Sequence, residues 1–165
     1  MLPSHAPEHY NCPFCLLVNG GDVAYPWSCQ SDVVYQNAQA TVFICANWWP
    51  NNPGHVLVVP NRHIEHIYAL TPDIAVHVHE AARQAALAFK AVYQAEGTST
   101  RQHNEPAGYQ EVWHYHLHVF PRYTNDYLYD LTHQRRLTTP EERLPYAQKL
   151  RAYFDARRDD LTSEG

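Results

Sequence analysis

Much of the structural information in this chain lies in one segment, Glu111-Val112-Trp113-His114-Tyr115-His116-Leu117-His118-Val119-Phe120. Its residue types alternate, which predicts a β-strand over 111–120, because side chains two residues apart in a strand share a face. The alternation places three histidines on one face: His114, His116 and His118. The other face carries residues typical of a protein core, namely Trp113, Tyr115, Leu117 and Val119.

The histidine row indicates a functional site rather than part of the core. If the three imidazoles were buried as core residues, each ring nitrogen would need a hydrogen-bond partner. Two kinds of chemistry use such a row. Imidazole nitrogens two residues apart can share one metal ion, or one imidazole can act as a nucleophile while its neighbours bind an anion and orient the ring. The spacing by itself leaves both open.

Further strands are predicted from runs of β-branched and aromatic residues. These runs occupy 33–36, 40–46, 55–59 and 98–104, and Pro60 ends the third of them. The segment Asn37-Ala38-Gln39 suits a hairpin turn between the first two strands.

Two helices complete the prediction. Thr71-Pro72-Asp73 supplies an N-cap and a proline at the first helical position, and apolar residues then recur every three to four positions until Gly97. Thr139-Pro140-Glu141-Glu142 predicts a capping box that starts a helix over 140–157. One helix between strands indicates an α+β fold with a mostly antiparallel five-stranded sheet. We expect a domain at 1–122 with a flexible arm at 1–11, and a C-terminal helical extension at 123–165 that packs on the same domain.

Composition narrows the class of partner. The chain has 165 residues, of which 45% are hydrophobic and 18% charged, as in an ordinary globular domain. Its net charge of −5 argues against binding a nucleic acid polymer, since such domains usually carry an excess of basic residues. The apolar runs are too short to span a membrane. The sequence contains 12 histidines, a surplus of the residue that titrates near neutral pH.

The cysteines bear on the cellular compartment in which the protein is expected. Cys12 and Cys15 form a C-x2-C pair, and no apolar segment of the signal-peptide type follows Met1. We therefore expect a cytoplasmic protein with reduced thiols. In that setting a C-x2-C pair indicates metal or redox chemistry rather than a disulfide.

Three blocks of sequence resemble the histidine-triad (HIT) family of nucleotide hydrolases and transferases. The run from His114 to Phe120, followed by Pro121-Arg122, is similar to the family's signature of histidines separated by apolar residues. Upstream, Asn52-Pro53-Gly54-His55-Val56-Leu57-Val58-Val59-Pro60-Asn61-Arg62-His63-Ile64 resembles its second block, and Asn104-Glu105-Pro106-Ala107-Gly108-Tyr109-Gln110 resembles the loop before the triad. With Cys-Pro-Phe-Cys at 12–15, the resemblance covers roughly 12–122 and implies a HIT-like fold and a homodimer.

The resemblance implies a covalent mechanism on a nucleotide substrate, with a purine base expected. His116 would attack the α-phosphorus of a dinucleoside polyphosphate or nucleotidyl amidate, and water would hydrolyse the nucleotidyl-histidine intermediate. His118 would contact the phosphate. The other implied contacts are Gln110 and Asn104 at the phosphate or the scissile bridge, Asn47 at the ribose or phosphate, and His55 near the triad.

In the family branch with a C-x2-C pair, the resemblance also implies a structural zinc ion. Its ligands would be Cys12, Cys15, His63 and His114. Glu111 stands where the phosphoramidate-cleaving branch commonly has a hydroxyl residue, so the chain departs from the pattern of that branch at this position. Two alternatives have different chemistry: a zinc-stabilised nucleotide-binding module with little turnover, and a metalloenzyme that uses all three histidines.

Overall fold

The computed structural model describes residues 3–163, and the side chains of residues 3–157. The helices in this range are α1 (Pro13–Val18), α2 (Pro72–Ala88) and α3 (Pro140–Ser163). The strands are β1 (Val33–Gln36), β2 (Ala40–Ile44), β3 (Asn47–Trp48), β4 (Val56–Pro60), β5 (Gly97–Gln102), β6 (Leu117–Arg122) and β7 (Arg136–Leu137). No helix within residues 3–163 combines the length and the apolar character that a membrane crossing requires.

One antiparallel sheet of five strands forms the centre of the fold, in the order β1-β2-β4-β6-β5. The predicted α+β class is therefore confirmed. The side chains of each strand alternate between two faces, as the period of a strand requires. Val58 and Val119 pack with the core beneath α2, whereas Leu57 packs with Phe14 of α1 on the opposite face. The sheet thus separates a helical core from the face that carries the candidate site.

The local signals at the β1–β2 turn and at the start of α3 are confirmed, whereas Thr71 precedes α2 without a side-chain capping hydrogen bond. The side-chain oxygen of Asn37 accepts the backbone N–H groups of Gln39 and Ala40 at 2.8 Å each, which closes the β1–β2 hairpin. At the start of α3, the Glu142 carboxylate accepts the backbone N–H of Thr139 at 2.8 Å, and the Thr139 hydroxyl accepts that of Glu142 at 3.3 Å. These two bonds are the predicted capping box.

The predicted strand over 111–120 is wrong at its start, because β6 begins only at Leu117. Residues 111–116 form a loop whose backbone bonds to other loops rather than to a strand. The Tyr115 N–H donates to the Ile64 carbonyl at 2.5 Å, and the His114 N–H to the Val112 carbonyl at 2.8 Å. The predicted alternation holds from Tyr115 onward, since Tyr115, Leu117 and Val119 are buried in the core beneath α2. It is wrong at Trp113, which is only half-buried and whose ring lies 5.9 Å from that of His5.

The end of α2 also differs from the prediction. After Ala88 the chain makes one wider, π-helical turn at Phe89–Tyr93, and Gln94 then adopts a left-handed backbone with φ of 54°. Gln94 therefore takes the position expected of a C-terminal glycine. Gly97 instead begins β5.

The C-terminal extension is attached to the sheet by apolar packing and by a buried ion pair. Ala147, Leu150 and Phe154 of α3 lie in the same core as α2. The Arg143 guanidinium, fully buried, donates to the Asp32 carboxylate at 2.9 Å and to the carbonyls of the segment before β1. Removing one partner of such a pair typically costs about 3–5 kcal/mol, because a buried charge is left uncompensated.

At the other end of the chain, the predicted flexible arm makes specific contacts. The Ser4 hydroxyl donates to the Glu65 carboxylate at 2.5 Å, and the backbone N–H of His5 donates to the same carboxylate at 2.7 Å. The described part of the arm is therefore tied to the loop that follows β4.

Candidate active site and metal centre

Four cysteine and histidine side chains converge where α1 meets the loops after β4 and before β6. Their ligand atoms all lie within 4.8 Å of one another, and the four residues are Cys12, Cys15, His63 and His114. The Cys15 Sγ lies 3.2 Å from the His63 Nδ1 and 3.5 Å from the His114 Nδ1, and the Cys12 Sγ lies 3.4 Å from the same His114 atom. A tetrahedral zinc bound to two sulfurs and two nitrogens requires S···N separations of about 3.6 Å. The four side chains fit zinc.

The protonation of this cluster also suits a metal ion. The Nε2–H of His114 donates to the Pro60 carbonyl at 2.9 Å, so the Nδ1 lone pair faces the two cysteines. Burial lowers the pKa of His114 to about 4, which keeps the imidazole neutral. Burial and the neighbouring Cys12 raise the pKa of Cys15 to about 12. Without a cation beside it the Cys15 thiol therefore keeps its proton, whereas a bound cation favours the thiolate form.

His116 lies just before β6. One of its ring nitrogens is hydrogen-bonded, and the other has no partner among the described residues. Its Nδ1–H donates to the His114 carbonyl at 2.7 Å, which leaves the lone pair on Nε2. The ring packs edge-to-face against Phe14 at 5.4 Å and His118 at 5.3 Å. Burial lowers the pKa of His116 below its ordinary value. A neutral imidazole with an available lone pair is a competent nucleophile near neutral pH.

His118 is held from behind by a second buried histidine. The His118 Nδ1 lies 3.4 Å from the Nε2 of His55, whose ring is fully buried and stacks on Phe120 at 4.3 Å. Burial lowers the pKa of His55 to about 3 and that of His118 well below its usual range, so both rings are neutral. The Nδ1 of His55 is buried and has no hydrogen-bond partner in the described part of the chain, and leaving a lone pair unpaired there costs less free energy than leaving an N–H unpaired. In that tautomer His55 donates to His118, and His118 carries its own proton on Nε2.

A cleft of about 1020 Å³ opens beside the triad. His116, His118 and Asn47 line it, so three of the predicted site residues meet there. Asn47 lies in β3, and its side-chain oxygen is buried with no hydrogen-bond partner among the described residues. The size of the cleft suits a ligand as large as a nucleotide.

Three other predicted contacts lie outside the cleft. Gln110 is buried, and its amide group accepts from the Glu105 N–H at 2.8 Å and donates to two backbone carbonyls at 2.6 and 3.0 Å. The Asn104 side-chain oxygen accepts the backbone N–H of Ile67 at 2.8 Å. The hydrogen bonds of both amides are thus made within the loops around the site. His55 reaches the cleft only through His118.

Two arginines at the cleft were not indicated by any sequence pattern. Arg101 of β5 and Arg135 from the extension both line it, together with Trp27 and Trp49. Trp48, by contrast, packs edge-to-face on Tyr146 at 5.0 Å. The extension reaches the cleft because β7 pairs with β3, which is a contact between segments far apart in sequence. No local pattern marks such a pairing.

Known proteins share both the sequence pattern and the architecture. The family model described as HIT domain matches residues 28–125. A Bacillus subtilis protein named Protein hit is 32% identical, over 68% of this chain and 72% of its own length. The bis(5'-adenosyl)-triphosphatase of Dictyostelium discoideum is 27% identical, over 79% of this chain and 91% of its own length.

The fold has a solved counterpart. The crystal structure of a zinc-bound histidine triad family protein from Mycobacterium smegmatis superposes with a TM-score of 0.71 at 24% identity, over 91% of this chain and 96% of that one. The fold match agrees with the sequence matches and confirms the resemblance drawn from the three sequence blocks. This chain belongs to the HIT family.

Proposed function

We propose that the protein is a nucleotidyl hydrolase or transferase that cleaves nucleoside phosphoanhydrides at the α-phosphate through a covalent nucleotidyl-histidine intermediate. The observation that carries the proposal is His116, whose ring is neutral, held through Nδ1 and open to the cleft. The Dictyostelium relative, named for its action on an adenosyl triphosphate, supports dinucleoside polyphosphates as the substrate class.

The reaction takes place in two displacements. The Nε2 lone pair of His116 attacks the α-phosphorus while the bond to the bridging oxygen breaks, and the leaving group takes that electron pair. The Nε2–H of His118 donates to a non-bridging oxygen and stabilises the negative charge that develops there. Water then attacks the same phosphorus. The phosphorus–nitrogen bond returns its electron pair to His116, and the nucleoside monophosphate and a proton are released.

The remaining predicted residues take supporting roles in this proposal. The unpartnered amide oxygen of Asn47 is an acceptor suited to a ribose hydroxyl. Gln110 and Asn104 fix the loop before the triad instead of contacting phosphate. His55 sets the tautomer of His118.

We further propose that Cys12, Cys15, His63 and His114 hold a structural zinc ion. The ion, when bound, supplies a cross-link between the N-terminal segment and the loops beside the triad. Phe14 of that segment touches the rings of both His114 and His116, at 5.9 and 5.4 Å. The cross-link therefore supports one wall of the cleft.

Residues 1–122 form the catalytic domain in this proposal, and the extension at 123–165 completes the cleft.

The homodimer, the preference for a purine base and the cytoplasmic location stay predictions. The outer edge of β5 has no strand beside it among the described residues, which favours pairing with a second copy. Light scattering on the purified chain measures whether it is a dimer. None of the four cysteines forms a disulfide, which is typical of proteins in a reducing compartment.

The proposed site of attack is tested by hydrolysis of diadenosine triphosphate in isotope-labelled water. Attack at the α-phosphorus predicts adenosine monophosphate and adenosine diphosphate in equal amounts, with the label in the monophosphate. Label in the diphosphate would contradict the proposal. Tight nucleotide binding with no turnover of any phosphoanhydride or amidate would favour the binding module instead.

A further inference from the structure

Two positively charged side chains lie over one aromatic ring at the cleft. The guanidinium carbon of Arg101 is 5.4 Å from the centre of the Trp49 ring, and that of Arg135 is 5.8 Å from it. Trp49 is itself buried and packs edge-to-face on His55 at 5.4 Å and on His118 at 6.5 Å. We call Arg101, Arg135 and Trp49 the arginine pair site. It adjoins the histidines at which the α-phosphate is proposed to bind.

Arg101 lacks the negative partner that other arginines of this fold have. Arg83, Arg122, Arg136 and Arg143 each form an ion pair, whereas no carboxylate among the described side chains lies within 4.0 Å of Arg101. Its Nε–H donates to the Nε2 of His103 at 3.1 Å, and His103 is fixed in that tautomer because its Nδ1–H donates to the Gly108 carbonyl. These contacts orient the guanidinium and leave its two terminal nitrogens without a hydrogen-bond partner among the described residues.

The positive charges of the two guanidinium groups also repel each other. Burial lowers the pKa of Arg101, and the charge of Arg135 lowers it further, whereas Tyr129 and Glu111 act in the opposite direction. Arg135 bonds to the Glu111 carboxylate at 2.6 Å, and that carboxylate is 65% exposed at the rim of the cleft. An anion with several oxygens would offset the unpaired charge of Arg101 and could take the place of Glu111 on Arg135.

The position of the pair relative to the triad determines which anion fits. Arg101 of β5 is directly opposite His118 in the strand register. An α-phosphate held by His116 and His118 therefore has Arg101 on its flank. Arg135 lines the same cleft and is the more exposed of the two arginines. A group that continues from the α-phosphate towards the rim passes the arginine pair site.

We propose that the arginine pair site binds the phosphates of the leaving group, so that the enzyme selects nucleotides whose α-phosphate is followed by at least one further phosphate. This inference rests on the proposed function and names its substrate class. Esters and amidates whose leaving group carries no phosphate make no contact with the two arginines. The terminal nitrogens of Arg101 donate to the non-bridging oxygens of the β-phosphate and stabilise the charge that this phosphate gains as the bond breaks.

The selectivity is tested with two substrates that share the same nucleotidyl group. The leaving group of diadenosine triphosphate is adenosine diphosphate, whereas the leaving group of the nitrophenyl ester of adenosine monophosphate is nitrophenol, which carries no phosphate. We expect Arg101→Gln to lower kcat/KM for the triphosphate by about tenfold or more and for the ester by less than about threefold, since a charge-assisted bond is lost only with the first substrate. Arg135→Gln is expected to act in the same direction. Arg83→Gln, which removes the same charge from the exposed face of α2, is the control and should change neither value. Equal losses on both substrates, or no loss on either, would overturn the proposal.

A binding measurement separates this inference from the proposed reaction. Tripolyphosphate binding is measured by calorimetry on the His116→Ala protein, so that the measurement does not depend on turnover. Adding Arg101→Gln to that protein should weaken tripolyphosphate binding by about tenfold or more and leave adenosine monophosphate binding within about threefold. If no phosphoanhydride is hydrolysed but this difference is found, the proposed function fails and the phosphate subsite stands. Unchanged tripolyphosphate affinity overturns the subsite.

Discussion

His116→Ala is expected to lower the turnover of a dinucleoside polyphosphate by at least about a thousandfold, the size of loss seen when a covalent nucleophile is removed. The variant lacks the ring whose Nε2 attacks the phosphorus, and water would have to attack directly. Steady-state assays of kcat measure the loss. Nucleotide affinity should change far less, because His118, Asn47 and Arg101 still line the cleft.

The controls separate loss of chemistry from loss of structure. His79→Ala removes an exposed histidine from α2 and should keep full activity. Zinc content and melting temperature should be unchanged in His116→Ala, even though the side chain bonds to the carbonyl of His114, a proposed zinc ligand. In His116→Gly, added imidazole should restore part of the turnover by occupying the vacated space. Turnover of His116→Ala within about threefold of the wild type would show that another group is the nucleophile.

Cys12→Ser and Cys15→Ser are expected to release the zinc and to lower the melting temperature by about 10 °C, which corresponds to the loss of about 3–4 kcal/mol of metal-linked stability. The cysteines lie at the start of α1 and the two histidines come from separate loops, so the proposed ion would join three segments of the chain. Phe14 packs against His116 from that helix, and the KM for the nucleotide should rise as well. Metal analysis with differential scanning calorimetry checks both effects.

Cys29→Ser is the matched control for the zinc prediction, since that cysteine lies outside the cluster and should leave metal content unchanged. A wild-type protein that is stripped of zinc and melts at the same temperature would contradict the structural role. Zinc retained by the Cys12→Ser protein, with activity lost on chelation and no unfolding, would favour the metalloenzyme that uses all three histidines.

The sequence predicts the face on which each histidine lies better than it predicts the strand that carries them. Alternation depends only on the extended shape of the backbone, and so Tyr115 and Leu117 are buried opposite the site even though Tyr115 lies in a loop. The strand begins late because the backbone of 111–116 pairs with Ile64 and with itself. Such loop pairings depend on tertiary contacts that a local pattern does not contain.

The orientations of the predicted contact residues depend on tertiary structure for a similar reason. Gln110 is at the position that the family resemblance implies, yet its amide bonds to Glu105 and to two carbonyls, and this orientation depends on the folded loop. Arg101 and Arg135 come together only because β7 pairs with β3 and brings the extension over the cleft. The local sequence around each arginine, in a polar strand and in a polar tail, does not predict that the two side chains lie close together.

The stereochemistry at the α-phosphorus tests the covalent mechanism most directly. A dinucleoside polyphosphate with a chiral thiophosphate at that position is hydrolysed in isotope-labelled water, and the configuration of the labelled monophosphate product is measured. Each in-line displacement inverts the phosphorus, so attack by His116 followed by attack by water predicts net retention. Net inversion would mean that water attacks the substrate in one step, and it would contradict a nucleotidyl-histidine intermediate.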